Sequence, residues 1–351
     1  MASIETTHLV GAPERDRLRP VRIWLYCIAL LVLIMVAVGG ITRLTGSGLS
    51  IVEWKPISGT LPPLSEAEWL ADFEAYKQIP QYQLVNKGMS LEEFKFIFFW
   101  EWFHRFLGRV IGLAFAVPFV VFLLQRRFSW DLAAPLGGLF VLGGFQGVLG
   151  WWMVSSGLSQ LTSVSQYRLA AHLGAAALLF MALVWVARRL EPRPMTAIRP
   201  RWPVGLLLVL VFTQLIAGAF VAGIDAGMGY NTWPLMDGAL IPGGLDVITP
   251  WWKNLFENAL TVQFIHRCIA YVIVIYAGFL LWRQSRAGGF SGAHVWLPRI
   301  TLLILAQAAL GIATLVTMVP ILLALGHQVL AFLLCGAIVA YLADMTGKTA
   351  R

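Results

Sequence analysis

Long apolar runs separated by short polar segments dominate this chain. A helix needs about 20 consecutive apolar residues to cross the hydrocarbon core of a bilayer. None of the runs alternates apolar and polar residues as the strands of a membrane β-barrel do. The pattern therefore predicts an all-α polytopic membrane protein with eight transmembrane helices, numbered 1 to 8. Their apolar runs are 23–41, 96–125, 132–154, 169–187, 203–223, 259–282, 297–319 and 321–343.

The polar segment between helices 1 and 2 also carries helix signals. Ser65 with Glu68, and Ser90 with Glu93, have the spacing of a capping box. We therefore expect a short helix after Ser65, and we expect helix 2 to begin near Leu91. The segment either only connects the two helices or forms a lid over the outer membrane face through its aromatic residues. These aromatic residues are Trp54, Trp69, Phe73 and Tyr76.

Composition agrees with a membrane protein. Of 351 residues, 58% are apolar and 13% are charged, against roughly 25% charged in an ordinary soluble domain. This excludes a disordered chain and a typical soluble enzyme. The three cysteines lie inside apolar runs without a CxxC pair, which excludes a disulfide scaffold.

The basic residues indicate how the chain is oriented. The net charge of +8 would suit a nucleic-acid partner, but the basic residues form short clusters between apolar runs. Such clusters are typical of cytoplasmic loops of membrane proteins. All of these clusters fall on one side of the predicted membrane, so we expect both termini to be cytoplasmic. We expect the chain to lie in a bacterial plasma membrane, in contact with lipid and without a nucleic-acid partner. The clusters include Arg15, Arg17, Arg19, Arg22, Arg126, Arg127, Arg188, Arg189, Arg193, Arg199, Arg201, Arg283, Arg286, Lys348 and Arg351.

The second half of the chain repeats the first half in the same order. Shifts of 179, 162, 161 and 155 residues superimpose Gly39 on Gly218, His104-Arg105 on His266-Arg267, Gln146 and Gly150 on Gln307 and Gly311, and His172 on His327. Each half has four predicted helices, an even number, so the copies share one topology. The repeat predicts two pseudo-symmetric four-helix bundles, residues 1–190 and residues 191–351.

Four histidines lie inside predicted helices near their outer ends: His104, His172, His266 and His327. One such histidine is often a satisfied core residue, but a two-plus-two set repeated by internal symmetry points to ligands. Two imidazoles can hold a haem iron from both faces inside a four-helix bundle. Zinc is less favoured, because no cysteine or carboxylate supplies a third ligand in both halves.

Three arginines lie beside these histidines. Arg105 and Arg267 directly follow His104 and His266, and Arg168 lies one helical turn before His172. A guanidinium is a strong partner for a haem propionate. Arginines at this depth equally well extend to the membrane interface without binding a ligand.

One matched position differs between the halves. Glu101 precedes His104 by three residues, whereas Gln263 stands before His266. The carboxylate could accept a proton or stabilise a developing cation beside a haem edge. Alternatively, Glu101 forms a salt bridge with Arg105 or a hydrogen bond with an imidazole. The difference suggests that the first half is the reaction site and the second stores electrons.

The run Glu101-Trp102-Phe103-His104-Arg105, with His172 and the repeated His266-Arg267 and His327, resembles the haem A synthase family. The likeness extends from Gly39 to His327, nearly the whole chain. The segment from Thr42 to Ser50 is similar to the corresponding segment in the branch of the family that proteobacteria and mitochondria share. Some members carry a cysteine pair in the first outer segment, which this sequence lacks, so a thiol-based step is not implied.

The resemblance implies a reaction and its participants. One ring methyl of haem O is hydroxylated twice, and the gem-diol loses water to leave the formyl group of haem A, which terminal oxidases use. His104 and His172 would flank haem O, with Glu101 as the catalytic carboxylate. His266 and His327 would ligate a haem b that passes electrons. Haem O synthase, an unidentified electron donor and a second copy of the chain are the implied partners.

Two other functions remain open from the residues alone. A dihaem b-type electron-transfer subunit would share the bundle and the four histidines, but it usually stacks haems at two depths and needs no Glu101. A transporter built from repeats would need polar or broken-helix residues near the midplane, where these helices are almost entirely apolar.

Overall fold

The computed structural model describes residues 17–54, 58–159, 161–191 and 200–346. Within these ranges, eight helices are long and apolar enough to cross a membrane, and β pairing is limited to an isolated bridge between Met236 and Ala239. The eight helices confirm predicted helices 1 to 8. They are α1 (Arg19–Leu44), α2 (Leu91–Leu124), α3 (Trp130–Ser155), α4 (Gln166–Arg189), α5 (Trp202–Gly223), α6 (Ala259–Arg286), α7 (Trp296–Val316) and α8 (Ile321–Met345).

The predicted end of helix 7 was wrong by three residues. The apolar run continues to residue 319, but α7 ends at Val316. Met318 and Val319 adopt positive φ angles of 63° and 58°, and the Val319 N–H donates to the carbonyl of Thr314 at 2.8 Å. The chain therefore turns before Pro320, and hydropathy could not reveal this because the turn residues are themselves apolar.

Both predicted capping boxes are confirmed. The Ser90 hydroxyl accepts from the Glu93 N–H, and the Glu93 carboxylate accepts from the Ser90 N–H at 2.8 Å, so α2 begins at Leu91. Ser65 and Glu68 make the same pair of contacts at the start of the short helix Glu66–Tyr76. These local bonds satisfy backbone donors that helix starts leave without partners.

The segment between α1 and α2 packs as a small aromatic cluster. Phe73 and Tyr76 are buried against Phe94 and Phe98, in the first turns of α2. The rings of Phe73 and Phe94 stack with centroids 4.9 Å apart. Trp54 is 46% exposed and lies outside this cluster. The segment is thus a packed structure, while its action as a lid stays a prediction.

Each long helix packs against two other helices of its own half. In the first half, α1 and α3 each pack against α2 and α4; in the second half, α5 and α7 each pack against α6 and α8. The two groups meet through α1, α4, α5 and α8. This arrangement agrees with two groups of four helices. The division at residues 190 and 191 and the symmetry of the halves stay predictions.

A buried ionic network joins the halves at the end of the molecule away from the four histidines. Arg188 of α4 donates to both carboxylate oxygens of Asp344 of α8 at 2.7 Å, and to Glu191 at 2.9 Å. Tyr26 of α1 donates to Glu191, and Trp296 of α7 donates to Asp344, both at 2.8 Å. Four helices are therefore connected through one guanidinium that is only 8% exposed.

We expect Arg188→Ala to lower the thermal unfolding temperature of the purified protein strongly. Removing one partner of a buried ion pair leaves uncompensated charge and typically costs about 3–5 kcal/mol. Lys95→Ala is the control, since it removes an exposed ion pair with Glu92 that contributes little. Equal melting temperatures for Arg188→Ala and the unmodified protein would contradict this account of the network.

Candidate active site

Each of the four histidine rings packs on a glycine of the preceding long helix. A methyl group added at that glycine would lie 2.7–3.3 Å from the ring, closer than ordinary van der Waals contact. Only glycine therefore lets the imidazole approach the neighbouring helix backbone this closely. The pairs are Gly39 of α1 with His104 of α2, Gly150 of α3 with His172 of α4, Gly218 of α5 with His266 of α6, and Gly311 of α7 with His327 of α8.

The two histidines of the second half lie close together. The ring centroids of His266 and His327 are 6.4 Å apart, and the ring planes are inclined by 74°. A metal–imidazole bond is about 2.1 Å, so two such bonds plus two ring half-widths span roughly 6 Å. The second pair thus has the spacing that a metal held between two imidazoles requires.

Several imidazole nitrogens at these positions have no partner in the part of the chain that the structure describes. Nδ1 of His172, His266 and His327 is buried without a hydrogen bond, although buried polar atoms almost always have one. Among the described residues, no three His, Cys, Asp or Glu side chains are grouped to hold a metal ion. The donors therefore fit a group ligated by two imidazoles, such as a haem iron, better than zinc.

Two glutamines support the histidines of the second half. Gln214 of α5 donates to the carbonyl of His266 at 2.9 Å, and Gln307 of α7 donates to the carbonyl of His327 at 2.9 Å. The Gln214 amide also lies 3.2 Å from Nε2 of His266. The sequence analysis gave neither residue a role, although a polar side chain inside an apolar run is a signal of function or packing.

The first half lacks both supporting contacts. The shift of 179 that superimposes Gly39 on Gly218 also places Met35 opposite Gln214, and a thioether cannot donate such a bond. Gln146, which corresponds to Gln307, has no partner for either amide atom within the described residues. The backbone around the second histidine pair is thus better fixed than the backbone around the first.

The arginine after each first histidine holds the outer segment of its own half. Arg105 donates to the carbonyl of Ile51 at 3.0 Å, and Arg267 donates to the carbonyl of Tyr230 at 2.9 Å. Ile51 and Tyr230 are related by the same shift of 179. Both guanidinium groups therefore make the same structural contact, in addition to any role towards a ligand. Nε of Arg267 is buried and has no hydrogen-bond partner among the residues that the structure describes.

Arg168 is also engaged by the chain itself. It donates to the carbonyl of Trp152 at 2.6 Å and to the hydroxyl of Ser155 at 3.0 Å, both at the end of α3. Its guanidinium lies 4.8 Å from the centre of the Trp152 ring. The structure thus assigns all three arginines a structural contact, and their binding of propionates stays a prediction.

Glu101 is buried and carries three hydrogen bonds. One carboxylate oxygen pairs with Arg105 at 2.7 Å. The other accepts from the Ser50 hydroxyl and the Ile51 N–H, both at 2.8 Å. The side chain is 3% exposed. The predicted alternative of a salt bridge with Arg105 is therefore present, and a catalytic role for Glu101 would have to act together with it.

Gln263 makes the matching contact with different chemistry. Its carbonyl oxygen accepts from Arg267 at 2.8 Å, as Glu101 accepts from Arg105, but its amide donates to the carbonyl of Ala226 at 2.7 Å. The Glu101 carboxylate accepts from three donors, while the Gln263 amide meets one donor and one acceptor. The difference between the halves therefore has a structural cause, whether or not it also has a chemical one.

We expect Gly311→Ala to reduce the pigment bound by the purified protein, measured as visible absorbance per mole of chain. The added methyl would lie 2.7 Å from Cε1 of His327, so the ring must move from its position opposite His266. Gly326→Ala is the control, because its methyl meets only Leu310, at an ordinary 3.5 Å. Unchanged absorbance in Gly311→Ala would show that the contact does not set ring position.

Comparison with known proteins gives matches over most of the chain. A family model described as cytochrome oxidase assembly protein matches residues 22–339. The heme A synthase of Azorhizobium caulinodans is 54% identical over 341 residues, which cover 96% of this chain and 97% of that protein. The heme A synthase of Parvibaculum lavamentivorans is 55% identical over 320 residues, covering 90% of this chain and 91% of that protein.

A third relative extends the same result. The heme A synthase of Bradyrhizobium diazoefficiens is 53% identical over 328 residues, covering 92% of this chain and 90% of that protein. The residues that the family model matches, 22–339, include both histidine pairs. The chain belongs to the haem A synthase family of cytochrome oxidase assembly proteins.

Proposed function

We propose that this chain is a multi-pass membrane oxidoreductase that converts haem O to haem A. A ring methyl of haem O is hydroxylated twice, and the resulting gem-diol loses water to leave a formyl group. The observation that carries the proposal is the full-length identity of 54% to a protein named heme A synthase. The paired imidazoles agree with it, because haem is a group that two histidines can hold.

The relatives do not favour a dihaem b-type electron-transfer subunit, because each of the three described above is named heme A synthase. The internal difference between the halves points the same way. A subunit that only transfers electrons needs no Glu101, and it would use both halves alike. Chromatography of the haems extracted from the protein tests the proposal: haem O or haem A is expected, and haem b alone would contradict it.

The second half is the better candidate for a resident haem b, held by His266 and His327. The distance between the two imidazole rings would suit a haem iron ligated by both histidines. Gln214 and Gln307 hydrogen-bond to the backbone carbonyls of these histidines. A haem bound there would supply one-electron redox chemistry. The chain's contribution is to hold the two rings in position before the haem binds.

The first half is the better candidate for the substrate haem, between His104 and His172. A substrate must enter and leave, so its ligands need less rigid support than those of a resident cofactor. Met35 and Gln146 leave these two histidines without the carbonyl contacts found in the second half. Arg105 and Arg168 lie beside the first pair, and Arg267 lies beside the second, as candidate partners for haem propionates.

Glu101 remains the candidate catalytic carboxylate of the first half. Its hydrogen bonds with Arg105, Ser50 and Ile51 fix its position. A fixed negative charge beside the substrate edge could stabilise positive charge that develops at the oxidised carbon. The same bonds attach the outer segment to α2, so any test must separate the two contributions.

The wider setting is also part of the proposal. Basic clusters in alternate loops favour cytoplasmic termini in the bacterial inner membrane. The two halves, residues 1–190 and 191–351, would act as a substrate unit and an electron-storing unit. Haem O synthase as a supplier of substrate, a separate electron donor and a homo-oligomer complete the expected partners.

We expect His266→Ala and His327→Ala to lower haem b content more than His104→Ala does. The reason is that the second half would hold the resident cofactor. The measurement is the haem b content of protein purified from matched membranes. Equal loss of haem b in all three variants would contradict this division between the halves.

We expect Glu101→Gln to keep haem b but to slow the conversion of haem O about 10²–10³-fold, the typical effect of removing one well-placed charged group. The ratio of haem O to haem A in the membranes is the readout. The amide can still accept from Arg105, as Gln263 accepts from Arg267, but its NH2 then faces the Ile51 N–H, so unchanged haem b content is the check that the fold survives.

Ser50→Ala is the matched control for this experiment. It removes one hydrogen bond to Glu101 but leaves the carboxylate in place, so conversion should continue. If Ser50→Ala stalls conversion as strongly as Glu101→Gln, the contribution of Glu101 is attachment of the outer segment. Normal haem A formation by Glu101→Gln would exclude a catalytic role.

A further inference from the structure

Gln146 is a buried amide whose chemistry the fold does not use. Within the described residues, neither its Nε2 nor its Oε1 has a hydrogen-bond partner, and both atoms are buried. Gln146 lies one helical turn before Gly150 on α3, so the two residues share a face. Gly150 contacts the ring of His172. The amide therefore lies on the side of α3 that carries the first histidine pair.

Gln307, the residue at the matched position of the second half, has a structural contact. Gln307 lies one turn before Gly311, which contacts His327, and its amide donates to the His327 carbonyl at 2.9 Å. Gln146 makes no equivalent bond to the carbonyl of His172. The two matched glutamines thus differ in one respect: the Nε2 of Gln307 donates a hydrogen bond and the Nε2 of Gln146 does not, while the Oε1 of both is buried without a partner within the described residues.

A buried amide without partners is unusual, because desolvation is not offset by any bond. The cost is sharper inside a membrane span, where water does not compete. Such a group points to a partner that the chain does not supply. An amide offers a donor and an acceptor side by side, and a hydroxyl group can complement both, because it donates one hydrogen and accepts another.

We propose that Gln146 is a specificity-determining residue of the first half, where its amide binds a hydroxyl on the edge of the substrate haem. The inference rests on the proposed function. Two hydroxyl groups have this chemistry: the alcohol that carries the farnesyl tail of haem O, and the hydroxyl introduced on the ring methyl. The first would make Gln146 select the substrate, and the second would make it retain the half-oxidised product.

The test compares Gln146→Met with Gln307→Met in the full-length protein. Methionine keeps the length of the side chain and removes the amide. We expect Gln146→Met to leave haem b content unchanged and to keep or raise the melting temperature, since it removes a polar group that has no partner. We expect Gln307→Met to lower the melting temperature or haem b content, because it removes the bond to the His327 carbonyl.

Optical titration of haem O into the haem b-loaded protein then measures substrate affinity. If Gln146 binds the tail alcohol, Gln146→Met raises the Kd for haem O about tenfold, the equivalent of about 1.4 kcal/mol. Its affinity for additional haem b, which lacks that alcohol, stays unchanged. If Gln146 binds the new hydroxyl, the Kd for haem O is unchanged and the hydroxylated intermediate accumulates at the expense of haem A.

Two results would overturn the proposal. One is that Gln146→Met loses stability as Gln307→Met does, which would make both glutamines structural. The other is that Gln146→Met binds haem O and forms haem A as the unmodified protein does. Failure of the proposed function is distinguishable, because the unmodified protein itself would then form no haem A.

Discussion

An imidazole packed on a glycine of the preceding helix is the contact on which the rest of the site depends. It occurs in all four consecutive pairs of long helices, with the glycine on the first helix and the histidine on the second. Because each contact fixes a ring against a backbone, the ring cannot move without its helix pair. Two such pairs in the second half bring two rings close together, with the centroids of His266 and His327 6.4 Å apart.

The second constraint acts at the outer ends of the helices. In both halves an arginine one residue after the first histidine reaches back to the outer segment, through Arg105 to Ile51 and through Arg267 to Tyr230. The histidine and the outer segment are therefore held by adjacent residues of one helix. A displacement of the outer segment would therefore act on a residue directly next to the histidine, so the outer segment and the histidine site are mechanically connected.

The halves share these contacts and differ in what surrounds them. Gln214 and Gln307 fix the second histidine pair, whereas Met35 and Gln146 leave the first pair without those bonds. A rigid site suits a cofactor that stays, and a less constrained site suits a substrate that is exchanged. The physical basis of the proposed division of labour is thus the number of hydrogen bonds to the ligand-bearing backbone, in addition to the residues that face the haem.

The sequence by itself determined the eight helices, both capping boxes and the fourfold pattern of histidines, because hydropathy, caps and repeats are properties of neighbouring positions. It missed the end of α7, where the turn at Met318 and Val319 is made of apolar residues. The sequence could propose Arg105 as a partner of Glu101, but only the tertiary structure decided the other two, Ser50 and Ile51, which lie about 50 residues away. It likewise decided that the Nε2 of Gln307 is bonded and that of Gln146 is not, since identical residues at matched positions differ only in whether the fold brings a histidine carbonyl within hydrogen-bonding distance.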